Sequence, residues 1–97
     1  MRRALSAAAL APRQISAIFA SANGDPDGDE REVSAIRELF GAQPPRIVAL
    51  KSQTGDCMGA FGPLNVIAAA VLASGETALV NCADENGNAV SHVIRAA

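Results

Sequence analysis

Tryptophan and tyrosine are absent from the 97 residues, and phenylalanine occurs three times. The chain therefore lacks rings on which nucleic-acid bases could stack. Its eight Lys and Arg side chains are scattered from Arg2 to Arg95 and form no basic stripe. A net charge of −2 also argues against nucleic acid as partner. Cysteine is scarce: Cys57 and Cys82 suit a reduced, cytoplasmic protein better than a disulfide scaffold, and each reads as a small buried hydrophobe. Long apolar runs are missing too. No stretch approaches the roughly 18 apolar residues of a membrane span. Arg2 and Arg3 ahead of an Ala-rich start imitate a signal peptide, with Ala20-Ser21-Ala22 as its cleavage site. Pro12, Arg13 and Gln14 interrupt the apolar centre that such a signal needs.

What remains is one domain's worth of chain. At this length, folding buries roughly 60–70% of the surface exposed by the unfolded chain. The apolar fraction is 49%, but much of it is alanine, which contributes on the order of one methyl group per residue. The core is expected to be thin.

Residues 2–10 read as an Ala-rich helix stopped by Pro12. The apolar run at 15–20 reads as a buried strand, and the turn formers at 23–28 as a loop. Asp29-x-x-Glu32 then reads as a helix start with Asp29 as cap; Val33, Ile36, Leu39 and Phe40 follow at helical spacing, and Gly41 ends the helix. Pro44-Pro45 forces an extended entry into a second buried strand at 47–50. Gly55, Gly59 and Gly62 punctuate a turn before a third helix at 63–74, whose Leu64, Ile67, Ala68, Val71 and Leu72 are expected against a sheet. Strands at 77–82 and 89–95 flank Glu85-Asn86-Gly87-Asn88, a hairpin signal because Asn and Gly tolerate positive φ. The expected fold is α/β, in the order α-β-α-β-α-β-β. Its sheet should be mostly parallel with an antiparallel terminal hairpin.

Several motifs carry less chemistry than they suggest. Asp25, Asp27 and Asp29 alternate as in a calcium loop, but the required Gly at position six and Glu at position twelve are Glu30 and Ile36 here. The run TGDCMGAFG lacks the Lys of a phosphate loop. Its glycines fit either a structural turn or one that lets a ligand approach the backbone. His92 stands alone in a terminal strand, and Lys51 taken locally is a strand-end lysine reaching solvent. No metal or cofactor is implied.

The layout resembles the C-terminal part of a β-ketoacyl synthase, in the thiolase-like superfamily. That family carries H-G-T-x-T after a strand, a D-x-x-E helix start, then K-S-x-x-G-H, a Gly-rich turn and an apolar helix. Here the corresponding residues are Asn23-Gly24, Asp29-x-x-Glu32, Lys51-Ser52-Gln53-Thr54-Gly55-Asp56, Gly59 and Gly62. The likeness covers nearly the whole chain and about the last quarter of a complete synthase. It implies that residues 1–97 are one partial thiolase-like domain. The family's active-site positions would fall at Asn23, Lys51 and Asp56, with Gly55, Gly59 and Gly62 as loop glycines beside them.

The departures are specific. Both histidine positions are changed, to Asn23 and Asp56, and the family's Gly-Phe-Gly element is replaced by Ala83-Asp84-Glu85-Asn86. The segment around 74–77 is shortened. The family's nucleophilic cysteine belongs to the preceding half, and neither Cys57 nor Cys82 matches it. The resemblance therefore implies a non-catalytic, chain-length-factor-like subunit in fatty-acid or polyketide assembly. Its partner would be a ketosynthase-like polypeptide that supplies the rest of the fold, with an acyl carrier protein meeting the complex. Two alternatives stay open: part of a composite active synthase, and an independent small α/β binding module. The family has a further strand before the opening helix. If that strand sits inside the sheet, its absence leaves unpaired backbone groups at about 1–3 kcal/mol each, and the isolated chain should not melt cooperatively.

Overall fold

The computed structural model describes residues 1–84 and 86–97. In chain order these form helix α1 (Arg2–Ala7), a 3-10 turn (Pro12–Gln14), strand β1 (Ala17–Phe19), α2 (Pro26–Phe40), β2 (Arg46–Val48), α3 (Lys51–Thr54), a second 3-10 turn (Met58–Ala60), α4 (Phe61–Leu72), β3 (Thr77–Ala83) and β4 (Ala89–Arg95). The chain is α/β as expected, with one additional short helix, α3, where the sequence suggests only a glycine turn.

The strands form one sheet in the order β2-β1-β3-β4. Strand β1 pairs in parallel with both β2 and β3, while β3 and β4 run antiparallel in the register Thr77↔Arg95 to Ala83↔Ala89. The sheet is thus mostly parallel with an antiparallel last pair. Both inner strands have a neighbour on each side, so the unpaired interior groups expected for a missing inner strand do not arise. Any further strand would have to add at β2 or β4, or part β1 from β3.

Alternation along β1 sends its side chains to two faces. Ala17 and Phe19 join Ala69 and Ala73 of α4 with Ala78, Val80 and Ala96, whereas Ile18 joins Leu5, Ile15, Ile36 and Leu79 beneath α1 and α2. The layer under α4 is built mostly of alanine, which lets that helix lie close to the sheet.

Helix α4 corrects the sequence expectation most clearly. Its buried residues are Phe61, Asn65 and Ala69, followed by Ala73, one residue every four along a single face. Ile67, Val71 and Leu72, expected inward, are 60%, 68% and 57% exposed. The segment is apolar nearly all round, so periodicity alone does not choose a face. Close approach to an alanine layer selects the small residues, and the bulky ones turn out.

Helix α2 begins earlier than the sequence suggests. Asp25 is the cap, not Asp29: its carboxylate accepts from Gly28 N at 2.9 Å, and Pro26 occupies the first turn with its φ already set. Helix α1 closes at Ala7, ahead of Ala9 at φ 54, rather than running to residue 10. At the hairpin, Asp84 accepts from Asn86 N, Asn88 N and Asn88 Nδ2, each at 2.9 Å. These bonds, the Asn88 side chain foremost, hold its carboxyl below the usual range. Glu85 of the predicted turn lies outside the described residues. No described helix is long and apolar enough to cross a membrane.

Candidate functional site

Parallel strands deliver their C-terminal ends to one edge of the sheet, and loops leaving that edge meet there. β1 exits into Ser21, Ala22 and Asn23, while β2 exits into Lys51 at the start of α3. Asn23, Lys51 and Asp56 come together. The Asn23 Oδ1 accepts from Lys51 Nζ, and its Nδ2 donates to Ala83 O at 3.2 Å. Lys51 Nζ also stands 4.2 Å from the centre of the Phe61 ring and 3.8 Å from Asp56 Oδ1. The lysine side chain is only 9% exposed, whereas that of Asp56 is 53% exposed.

Asn23 is fixed from below. The Ser21 hydroxyl accepts from Ala83 N at 3.0 Å, with Asn23 Oδ1 and Ala83 O both 3.1 Å away as acceptors for its proton. Ala22, between them, holds a left-handed φ of 43, a conformation that L-residues seldom adopt. Glu32 secures this bend. Its carboxylate accepts from Ser21 N at 2.7 Å, Ala22 N at 2.8 Å and Asn81 Nδ2 at 2.7 Å. Asp29 adds a bond from Gly24 N at 3.1 Å. Both acids of the D-x-x-E pattern therefore hold the loop that carries Asn23, rather than cap the helix.

Sequence reasoning missed Glu32 in this role, and with it Asn65 and Cys82. Asn65, fully buried in α4, donates to Phe19 O at 3.3 Å and Ala20 O at 3.4 Å; its Oδ1 has no partner among the described residues. The available signal was an amide set inside the apolar run VIAAAVL and its flanks. Of the loop glycines, Gly55 is needed for its φ of 73, and a Cβ at Gly62 would lie 3.7 Å from Cys82 Sγ, an ordinary contact. Gly59 faces open space. His92 lies exposed on β4, in register with Val80, and has no part in this network.

The arrangement can hold and orient a polar group, but its amide cannot shuttle a proton. Burial pushes the Cys82 thiol above its ordinary pKa, and the Glu32 charge adds to that shift. A hydrogen bond from Asn65 and the Lys51 charge oppose it. A raised pKa means less thiolate near neutrality. Exposed Cys57 is therefore expected to alkylate at least about tenfold faster than Cys82, read by peptide mass spectrometry after timed iodoacetamide treatment. Equal rates would contradict the burial of Cys82.

Compared with known proteins, residues 1–84 match the family model described as "Beta-ketoacyl synthase, C-terminal domain". The chain is 39% identical over 70 residues to the granaticin polyketide putative beta-ketoacyl synthase 2 of Streptomyces violaceoruber, covering 72% of this chain and 17% of that protein. It is 33% identical over 69 residues to the actinorhodin polyketide putative beta-ketoacyl synthase 2 of Streptomyces coelicolor, covering 71% and 17%. Over 37 residues it is 51% identical to 3-oxoacyl-[acyl-carrier-protein] synthase 1 of Escherichia coli, covering 38% and 9%. The matched part is thus a small fraction of each relative, 17% of the polyketide proteins. No solved structure gives a significant match.

Proposed function

The chain belongs to the β-ketoacyl synthase family through its C-terminal domain, and from that premise we propose that it is a non-catalytic, chain-length-factor-like segment of a condensing-enzyme assembly in polyketide or fatty-acid synthesis. The observation that carries this reading is the pairing at the site. The Lys51 ammonium is bonded to the neutral amide of Asn23 and faced by the Asp56 carboxylate at 3.8 Å. Condensation needs a proton shuttle or hydrogen-bond donors aimed at a developing negative charge. An ionised Asp56 would repel that charge, and Asn23 cannot exchange protons.

Residues 1–97 are read as one partial domain, the C-terminal portion of a thiolase-like fold. A ketosynthase-like polypeptide supplies the remainder, and an acyl carrier protein meets the assembly rather than this segment alone. The exposed Ile67, Val71 and Leu72 supply a surface suited to that contact. No cofactor is needed for this role.

Native mass spectrometry of the chain purified gently from its own host tests the assembly. A stoichiometric complex with a larger ketosynthase-like polypeptide is expected, and a stable lone monomer counts against it. Burying an Ile or Val side chain is worth about 1.5–3 kcal/mol, so Ile67→Ser with Val71→Ser should weaken the complex by more than about tenfold. Condensation by the reconstituted complex should be unchanged in Lys51→Ala. A fall in rate would instead favour the composite active synthase, in which the retained Lys51 still contributes.

A further inference from the structure

Asp56 Oδ1 lies between two donors of its own chain. It accepts from Met58 N at 2.8 Å and stands 3.8 Å from Lys51 Nζ. The ammonium has three protons to place. One goes to Asn23 Oδ1, and the Phe61 ring covers another side of the nitrogen. The distance to Asp56 exceeds a hydrogen bond, so the buried cation is faced, and not tightly bonded, by the carboxylate at its mouth. Glu32 does not neutralise it, because that carboxylate is engaged by Ser21 N, Ala22 N and Asn81 Nδ2.

We propose that the Lys51 ammonium and the Met58 N–H form a binding site for a small carboxylate anion, occupied here by the chain's own Asp56. The occupant is free to leave. Residues 52–60 are all exposed, so Asp56 gives up no core contact when it turns outward. Gly55 at φ 73 and Met58 at φ 52 bend the backbone on either side of it. The fit favours a carboxylate: a single planar group already reaches both donors, and one buried positive charge matches one negative charge. The inference stands on this contact alone and not on the catalytic silence proposed above. The two can fail separately.

Lys51 is the chain's single lysine, so protein labelled with 13C-lysine gives one Cε resonance to follow. The unaltered chain, Asp56→Ala and Asp56→Asn are titrated with sodium acetate at constant ionic strength, with inorganic phosphate as the comparison. Removal of Asp56 should produce a saturable shift, with half-saturation at least about tenfold below that of the unaltered chain. Phosphate should give only a small, non-saturating drift. Should Asp56→Ala fail to fold, Asp56→Asn keeps an acceptor for Met58 N and decides the matter. Variants that respond no more than the unaltered chain overturn the site. Phosphate saturating as tightly as acetate overturns the carboxylate assignment.

Discussion

Glu32→Ala is expected to destabilise the chain by about 3 kcal/mol and to lower its melting temperature by roughly 12–20 °C. The magnitude follows from what one carboxylate does. It accepts from two consecutive backbone N–H groups, Ser21 and Ala22, and from the Asn81 amide. Ser21 and Asn81 are buried, so their donors would lose a charged acceptor with little water to replace it. Ala22 adds to the effect, since its left-handed φ of 43 persists only while its neighbours hold it. Glu32→Gln should lose less, keeping one oxygen acceptor but setting an NH2 group against an N–H donor. Exposed Glu30→Ala is the control and should stay within about 0.5 kcal/mol. Urea melts of the three variants decide it. A Glu32→Ala chain as stable as Glu30→Ala would mean that the bend at Ala22 does not depend on the carboxylate.

Ala69→Leu should cost about 1–3 kcal/mol, whereas Leu72→Ser should leave the chain's own stability within about 0.5 kcal/mol. Ala69 is fully buried between α4 and an alanine-rich sheet face, and added methylenes there have nowhere to go. Leu72 is 57% exposed and contributes little to folding of the chain by itself. The ordering is the reverse of what hydrophobicity alone suggests, so the pair distinguishes the two possible seatings of α4. Larger destabilisation by Leu72→Ser would show that the helix lies with its bulky face inward.

The same helix marks where sequence reasoning ran out. Strands at Ala17–Phe19 and Ala89–Arg95 were legible because each is a short apolar or alternating run bounded by turn formers, and Asn86-Gly87 signalled the final hairpin. Helix α4 was legible as a helix but not in its orientation. Leu64, Ile67, Val71 and Leu72 form as good an apolar stripe as Phe61, Asn65, Ala69 and Ala73, and the sequence does not state how near the sheet must come. The start of α2 was misplaced because Asp25 and Asp29 are both competent caps, and only Pro26 favours the former. At the site, Asn23, Lys51 and Asp56 were found through family spacing, not through local chemistry. Glu32 was visible as half of a D-x-x-E pattern, yet its partners Ser21 and Asn81 lie on other elements. No local rule couples them.

Strand register has a kinetic consequence. Ala17, Ile18 and Phe19 pair with Arg46, Ile47 and Val48 on one side and with Ala78, Leu79 and Val80 on the other. Both partners come later in the chain, the second only near its end. During synthesis the most deeply buried segment of the molecule is therefore among the first made and the last to find its full set of neighbours. Closing such long loops before any pairing is gained slows folding. In that interval the run at 15–20 is an exposed apolar strand. A nascent chain paused before Ala78 would present it to chaperones, or to another copy of itself.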